Sequence, residues 1–182
     1  MAFPVFLDTC TIYGAGLNDL LLTMAEKGLF RPLWSDDVLD ELCRVLQEAG
    51  IADDAIEHRI ASMNDAFPDA RVTGYKALIP QMVCDEKDRH VLAAAIRGNA
   101  AVLVTFNLKH FPNSALEEYG LAIVHPDEFL LDQLDLYPSR VANAVTQVPA
   151  MYENPPVTAA EFLDLLHRSG VPKFAKATNS LI

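Results

Sequence analysis

A short apolar run that ends in an acidic residue constrains the fold of this chain more than any other feature. Residues 4–8 read PVFLD, so an unbroken apolar segment leads directly into Asp8. Apolar runs that do not alternate with polar residues are typical of parallel strands buried on both faces. Asp8 then stands at the carboxyl end of a strand, where ligands of open α/β sheets bind.

Helix and strand signals alternate along most of the chain. The clearest are leucines at helical spacing, a serine N-cap at Ser35, an alanine-rich segment and the run AVLVTF. The predicted strands span residues 4–8, 71–73, 101–106 and 121–124, and the predicted helices span residues 17–28, 36–46, 53–67, 85–97 and 126–131. This alternation predicts an α/β fold with a mainly parallel sheet.

Strand signals stop after about residue 135. Residues 139–148 and 158–168 carry apolar side chains at helical spacing, and a proline-containing stretch separates them. We therefore expect a domain over residues 1–134 and a helical C-terminal extension over residues 135–182.

Composition limits the functions open to the chain. Its 182 residues carry a formal net charge of -11, which argues against a passive nucleic-acid binder with a basic surface. The acidic balance is compatible with a nuclease, because bound divalent cations can supply positive charge at a phosphate. The hydrophobic content of 51% is sufficient for a buried core.

Three features bear on the cellular compartment. The cysteines Cys10, Cys43 and Cys84 are odd in number and far apart, which disfavours a disulfide framework or a zinc knuckle. No apolar run approaches the roughly 18 residues that a membrane-spanning helix needs, and the N-terminus lacks the basic leader of a signal peptide. We therefore expect a cytoplasmic protein without a membrane segment.

Other side chains with oxygen donors are predicted to lie near Asp8. Asp88 stands at the start of the alanine-rich helix, with Asp85 one turn earlier, and Asn107 directly follows the strongest strand. Glu41 lies in the middle of a helix, so only the fold can bring it close. Hard cations such as Mg2+ prefer oxygen ligands, so this set predicts a metal site.

Simpler roles are open to two of these acids. Asp85 can stabilise the first turn of a helix through the helix dipole. Glu41 can be solvated on the polar face of an amphipathic helix. Asp8 is harder to assign to such a role, because a carboxylate that closes a buried strand needs a partner.

Four segments together resemble a known family. PVFLDTC, WSDDVLDEL, DEKDRHVLAAAI and LVTFNLKHF, in this order, resemble a PIN domain and look closest to the VapC-type toxin ribonucleases of bacterial toxin–antitoxin systems. The resemblance covers roughly residues 3–130. The segment PPVTAAEFLDLLHRSGVPKFA also resembles a C-terminal region found in a subset of PIN proteins.

The resemblance implies a three-layer α/β/α fold with an acidic pocket. It also implies Mg2+- or Mn2+-dependent endonucleolytic cleavage of RNA, with the family's acids, as catalytic residues and metal ligands, at Asp8, Glu41 and Asp88. The fourth family position lies in a Thr-x-Asp pattern and falls on Asn107 after Thr105, so an amide replaces a carboxylate. The number of bound metal ions, one or two, is therefore open.

Further side chains are predicted to support the site. The hydroxyls of Thr9 and Thr105 can orient ligands or waters, or can form local backbone hydrogen bonds. Arg89 is expected to contact an RNA phosphate or to form a salt bridge, and Asp85 is a further supporting acid. His110 stands where many relatives carry an acid, and Trp34 is expected in the core.

The resemblance also implies partners. These are an RNA substrate and a cognate antitoxin protein, which is expected to insert a basic side chain into the acidic pocket. Many relatives dimerise, so a homodimer is compatible with the resemblance.

Two other functions remain open from the sequence. Asn107 motivates a catalytically weakened PIN fold that acts as an RNA- or protein-binding module. A phosphatase with Asp8 as its nucleophile would need a second acid two residues later, where this chain has Cys10. The metal-dependent ribonuclease is therefore the leading hypothesis, and the binding module is its alternative.

Overall fold

A sheet of five parallel strands forms the centre of the fold in the computed structural model, which describes residues 2–112 and 119–182. The strands are β1 (Pro4–Leu7), β2 (Arg31–Ser35), β3 (Arg71–Val72), β4 (Val102–Val104) and β5 (Ala122–Val124). They lie in the order β3-β2-β1-β4-β5, and every neighbouring pair is parallel. The predicted α/β class with a parallel sheet is confirmed.

Helices connect the strands and continue beyond the sheet. In the described ranges they are α1 (Thr9–Ile12), α2 (Ala15–Glu26), α3 (Asp36–Glu48), α4 (Asp53–Ala66), α5 (Arg89–Arg97), α6 (Pro126–Leu136), α7 (Pro138–Ala150), α8 (Ala159–Arg168) and α9 (Pro172–Thr178). Shorter 3-10 helices lie at Lys76–Gln81, Glu86–Asp88 and Leu108–His110. Among these described elements, no helix combines the length and apolar character that crossing a membrane requires.

Strand β2 is the main element that the sequence pattern does not indicate. Its segment RPLWS begins with Arg31 and Pro32, and a proline removes a donor from the ladder. In the structure the segment pairs with β1 and buries Leu33 and Trp34. The predicted core position of Trp34 is confirmed, and its indole N–H donates to the Asn64 side chain at 3.1 Å.

The helix predicted over residues 85–97 begins later than the sequence suggests. Asp85 caps a 3-10 turn, where its side chain accepts from the backbone N–H of Lys87 at 3.1 Å, and α5 starts at Arg89. Helix α1 is also not indicated by the sequence pattern. Its residues, TCTI, are largely β-branched and have weak helix propensity, so the cap from Asp8 and tertiary packing stabilise it.

The C-terminal helices pack against α2 and against one another. Helices α7 and α8 both contact α2, and the predicted helices over 139–148 and 158–168 are confirmed by them. The close approach of α2 and α8 depends on Gly16, because a Cβ there would lie 2.4 Å from Cδ2 of Leu165. The extension therefore shares a core with α2, and a domain boundary near residue 134 stays a prediction.

Asp127 joins the start of α6 to the start of α9. Its buried carboxylate accepts from the backbone N–H of Phe174 at 2.8 Å and from that of Lys173 at 3.2 Å. Asp127→Ala should lower the free energy of unfolding by about 2 kcal/mol, because one buried and one partly buried N–H donor lose their partner. Urea denaturation of the full chain measures this change.

The neighbouring acid provides the control for this prediction. Glu128 pairs with the Lys173 ammonium on the surface, where water screens the interaction. Glu128→Ala should leave the free energy of unfolding unchanged within error. Equal effects of the two substitutions would show that the buried cap at Asp127 is not the source of the stability.

The strand order also locates a crevice. The chain runs from the central strand β1 to β2 and β3 on one side, and later to β4 and β5 on the other. The order therefore reverses between β1 and β4. In open parallel sheets, ligands bind at this switch point, outside the carboxyl ends of the strands.

Candidate active site

Asp8 lies at the carboxyl end of β1 and is held by three donors. Its side chain is 3% exposed. The backbone N–H of Thr9 donates to Oδ1 at 2.7 Å and begins α1. The hydroxyl of Thr105 donates to Oδ2 at 2.6 Å, and the thiol of Cys10 donates to the same oxygen at 3.1 Å. These bonds fix the orientation of a buried carboxylate at the switch point.

Thr105 connects the ends of the two neighbouring strands. It is fully buried just after β4, and its hydroxyl also accepts from the backbone N–H of Asn107 at 3.0 Å. The same hydroxyl therefore bonds locally to the backbone and across the crevice to Asp8. The local backbone hydrogen bond considered for this threonine is present, and its role in orienting a metal ligand stays a prediction.

Glu41 reaches the same region from α3. The helix begins directly after β2, with the Ser35 side chain accepting from the N–H of Val38 at 3.3 Å. The hydroxyl of Thr9 donates to Glu41 Oε2 at 2.9 Å. Because β2 lies beside β1, the helix after β2 runs past the end of β1 and brings this glutamate to the site.

Asp88 approaches from the third side, between the 3-10 turn and α5. Burial raises the pKa of its carboxyl group, and the nearby charge of Asp8 raises it further. The hydrogen bond with His110, at 2.7 Å between Nδ1 and Oδ2, opposes this shift. The pKa of Asp88 is therefore raised mainly by burial, with a smaller contribution from the charge of Asp8.

A cavity of about 550 Å³ joins these side chains. Asp8, Glu41, Asp88 and Asn107 all line it, so the structure brings together the four residues that the sequence analysis proposed as catalytic. We call this space the acidic cavity. Its remaining lining residues are Thr9, Cys10, Tyr13, Val45, Glu48 and Ala49.

Two of the proposed supporting residues lie elsewhere. Asp85 is exposed, caps the 3-10 turn and does not line the acidic cavity. Arg89 is half-buried and also does not line it; its Nε atom has no partner in the described part of the chain. Their roles toward RNA or metal stay predictions.

Cys10 and Tyr13 are lining residues to which the sequence analysis gave no role. Burial, followed by the neighbouring charge of Asp8, raises the pKa of the Cys10 thiol to about 12. The thiol is therefore neutral at physiological pH and serves as a hydrogen-bond donor, not as a nucleophile. Their positions two and five residues after Asp8, on the short helix α1 and at its C-cap, are the only signal that the sequence contains.

The donor set fits a hard divalent cation in its chemistry. Three carboxylates and an amide carbonyl supply oxygen ligands, which Mg2+ and Mn2+ prefer. Among the described residues, no three His, Cys, Asp or Glu side chains lie close enough together to hold one ion. Mg2+ usually keeps several of its waters, so direct contact with every carboxylate is not required.

Comparison with known proteins adds a family context. The family model described as PIN domain matches residues 4–109, and that described as VapC50 C-terminal domain matches residues 126–179. A Mycobacterium tuberculosis protein named "Putative ribonuclease VapC50" is 48% identical over 108 residues. The match spans 59% of this chain and 63% of that protein, which is less than two thirds of the relative. No solved structure matches the chain significantly.

Proposed function

The chain belongs to the PIN domain family, and from this premise we propose that it is a metal-dependent endoribonuclease that hydrolyses RNA phosphodiester bonds. The observation that carries the proposal is the acidic cavity, which Asp8, Glu41, Asp88 and Asn107 line together at the switch point of the sheet. The printed name of the mycobacterial relative designates a ribonuclease and supports the choice of RNA as substrate.

Three carboxylates would hold the metal ion. Asp8, Glu41 and Asp88 would bind Mg2+ or Mn2+ either directly or through waters on the ion, and the Asn107 carbonyl would add a neutral oxygen. When bound, the ion supplies Lewis acidity that activates the attacking water and neutralises charge at the phosphate.

The chain's own residues prepare this site. Thr105 and Thr9 orient the carboxylates of Asp8 and Glu41 through the hydrogen bonds described above. Cys10 stays protonated, so the proposal involves no protein nucleophile. The buried β1 end excludes bulk water from one side of Asp8, which strengthens its electrostatic interactions.

For biological role and partners, we propose the toxin of a type II toxin–antitoxin pair. The acidic cavity offers Asp8, Glu41, Glu48 and Asp88 to a basic side chain of a cognate antitoxin, which would compete with the metal. A homodimer and a cytoplasmic location stay predictions from the sequence.

The alternative is a catalytically weakened binding module for RNA or protein. The neutral Asn107 favours it, and so does the spacing of the acids in the described residues, which brings no three metal-ligating side chains to one point. Cleavage and binding assays separate this alternative from the nuclease.

RNA cleavage by the purified full chain should depend on divalent cations. Single-stranded RNA should be cut internally with Mg2+ or Mn2+, and EDTA should abolish cleavage until excess Mg2+ is restored. Gel analysis of end-labelled RNA distinguishes internal from terminal cuts. Asp65→Asn is the control variant, since this exposed acid on α4 lies outside the acidic cavity and its loss should leave the rate unchanged.

Two results would contradict the proposal. Cleavage that persists in EDTA would show that no divalent ion is required. A folded chain that binds RNA but cuts none with either ion would favour the binding module.

A further inference from the structure

A second cavity adjoins the acidic cavity. Its volume is about 440 Å³, and Cys10 and Tyr13 line both spaces, so the two cavities adjoin at these side chains. Phe106, Arg168 and Gly170 form its other side. We call this second space the tyrosine–arginine crevice. It joins the end of the sheet to the C-terminal end of α8.

Two aromatic rings stand in the crevice. Tyr13 is 42% exposed, although large aromatic side chains are usually buried. The backbone at Tyr13 is anchored, since its carbonyl oxygen accepts from Nη1 of Arg59 at 3.1 Å. Phe106 packs edge-on against His125, with ring centroids 4.9 Å apart. An exposed tyrosine ring on an anchored backbone is a suitable surface for a planar base.

The end of α8 is seated closely on Phe106. Gly170 has a φ of +91°, and a Cβ there would lie 2.8 Å from Cε1 of the Phe106 ring. The Ser169 hydroxyl donates to the carbonyl oxygen of Leu165 at 2.8 Å. The close contact of Gly170 with Phe106 and the hydrogen bond of Ser169 hold the end of α8 in place. They therefore fix where Arg168, the residue before Ser169, enters the crevice.

Arg168 brings a positive charge to the tyrosine–arginine crevice. It is exposed, and its Nε donates to the backbone carbonyl of Asp164 at 3.3 Å. Within residues 2–112 and 119–182, no carboxylate forms an ion pair with it. A polyanion that enters the acidic cavity meets several negative charges, so a cation next to that cavity is favourable for binding.

We propose that the tyrosine–arginine crevice binds the nucleotide next to the scissile phosphate of single-stranded RNA. A base would stack on Tyr13, and Arg168 would contact the adjoining phosphate. The inference rests on the proposed nuclease function, and it gives the C-terminal extension a role in substrate binding. Arg168 reaches the crevice only because α8 packs on α2, which brings together residues 13 and 168.

Binding of single-stranded RNA by the full chain tests the crevice separately from cleavage. The Kd of a fluorescently labelled RNA of mixed sequence is measured in Mg2+ with Asp8→Asn as the background, so that the RNA stays intact. Arg168→Ala should weaken binding about tenfold and reduce the slope of log Kd against log salt concentration by about 0.7. Tyr13→Leu should weaken binding about tenfold without changing that slope, and Tyr13→Phe should bind normally.

Helix α7 and its N-cap offer matched control variants. Tyr137 is 40% exposed, Arg140 lies over its ring, and neither lines either cavity. Tyr137→Leu and Arg140→Ala should change Kd by less than about twofold. Thermal unfolding of each variant shows that the comparison is made between folded chains.

Each outcome has a defined meaning. Unchanged Kd values for Arg168→Ala and Tyr13→Leu, in a chain that cleaves RNA, would overturn the crevice and leave the nuclease function standing. Absence of cleavage together with Arg168-dependent RNA binding would overturn the nuclease function and leave the crevice standing only as an RNA-binding surface. Loss of binding to a protein partner with RNA binding intact would identify the crevice as a protein-docking surface and overturn the inference.

Discussion

Asp8→Asn is expected to reduce Mg2+-dependent RNA cleavage by at least about 100-fold. Asp8 is held at the switch point by three hydrogen bonds, so its charge is fixed where a cation would bind. Asparagine has nearly the same shape, and its Oδ1 can still accept from the Thr9 N–H that begins α1. The substitution removes the charge and keeps the cap of α1, but Nδ2 of asparagine cannot accept the bonds that Oδ2 receives from Thr105 and Cys10. Initial rates at saturating Mg2+ measure the loss.

The same substitution should change stability only modestly, because two effects oppose each other. Burial and the charge of Asp8 both raise the pKa of Asp88, so a neutral residue at position 8 removes a repulsion. This relief offsets part of the loss of the two bonds to Oδ2, so the midpoint of thermal unfolding should fall by at most a few degrees. Asp65→Asn, on the exposed side of α4, controls for the loss of one negative charge. Full activity in an Asp8→Asn sample that is free of unsubstituted protein would contradict the assignment of Asp8 to the active site.

The sequence contains a physical signal for part of this site. An apolar run that ends in Asp8 and a polar residue, Asn107, that follows the strongest strand predict two side chains at one edge of a parallel sheet. Asp88 is indicated by its place at the start of a helix. These positions depend on local pattern, so they can be derived before the fold is known.

Glu41 does not follow from local pattern. Its position depends on β2 and on the pairing of that strand with β1. Strand β2 is not predicted from the sequence, because it begins with Arg31 and Pro32. Without β2, a glutamate on an amphipathic helix is expected to face solvent. Only the resemblance to the PIN family assigns it to the site in advance.

The crevice beside the site could not be predicted from the sequence. Tyr13 and Arg168 are far apart in the chain, and the contact between α2 and α8 that unites them depends on the absence of a side chain at Gly16. The helical nature of the extension was readable from its apolar spacing. The sequence does not indicate which surface the extension packs against, because the apolar face of one helix can pack against many other apolar surfaces.

Thr105→Val is expected to reduce RNA cleavage about 10- to 100-fold, although Thr105 does not line the acidic cavity. Its hydroxyl donates to Asp8 at 2.6 Å and accepts from the N–H of Asn107 at 3.0 Å. Valine has a similar volume but cannot form either bond. Asp8 then loses a donor and the Asn107 segment loses its anchor, so both proposed ligands become less well positioned. Stability should fall by about 1–3 kcal/mol, because the partners stay in a buried site.

Thr105→Ser separates the hydroxyl from the packing of the methyl group. Serine keeps the donor and acceptor, so cleavage should stay within a few-fold of the unsubstituted rate, despite a small loss of stability. A positioning role also predicts that Thr105→Val raises the Mg2+ concentration for half-maximal activity, which a purely structural role would not change in a folded sample. Equal losses of activity in the serine and valine variants would indicate that the methyl group matters. The hydrogen bond from Thr105 to Asp8 would then not be what organises the site.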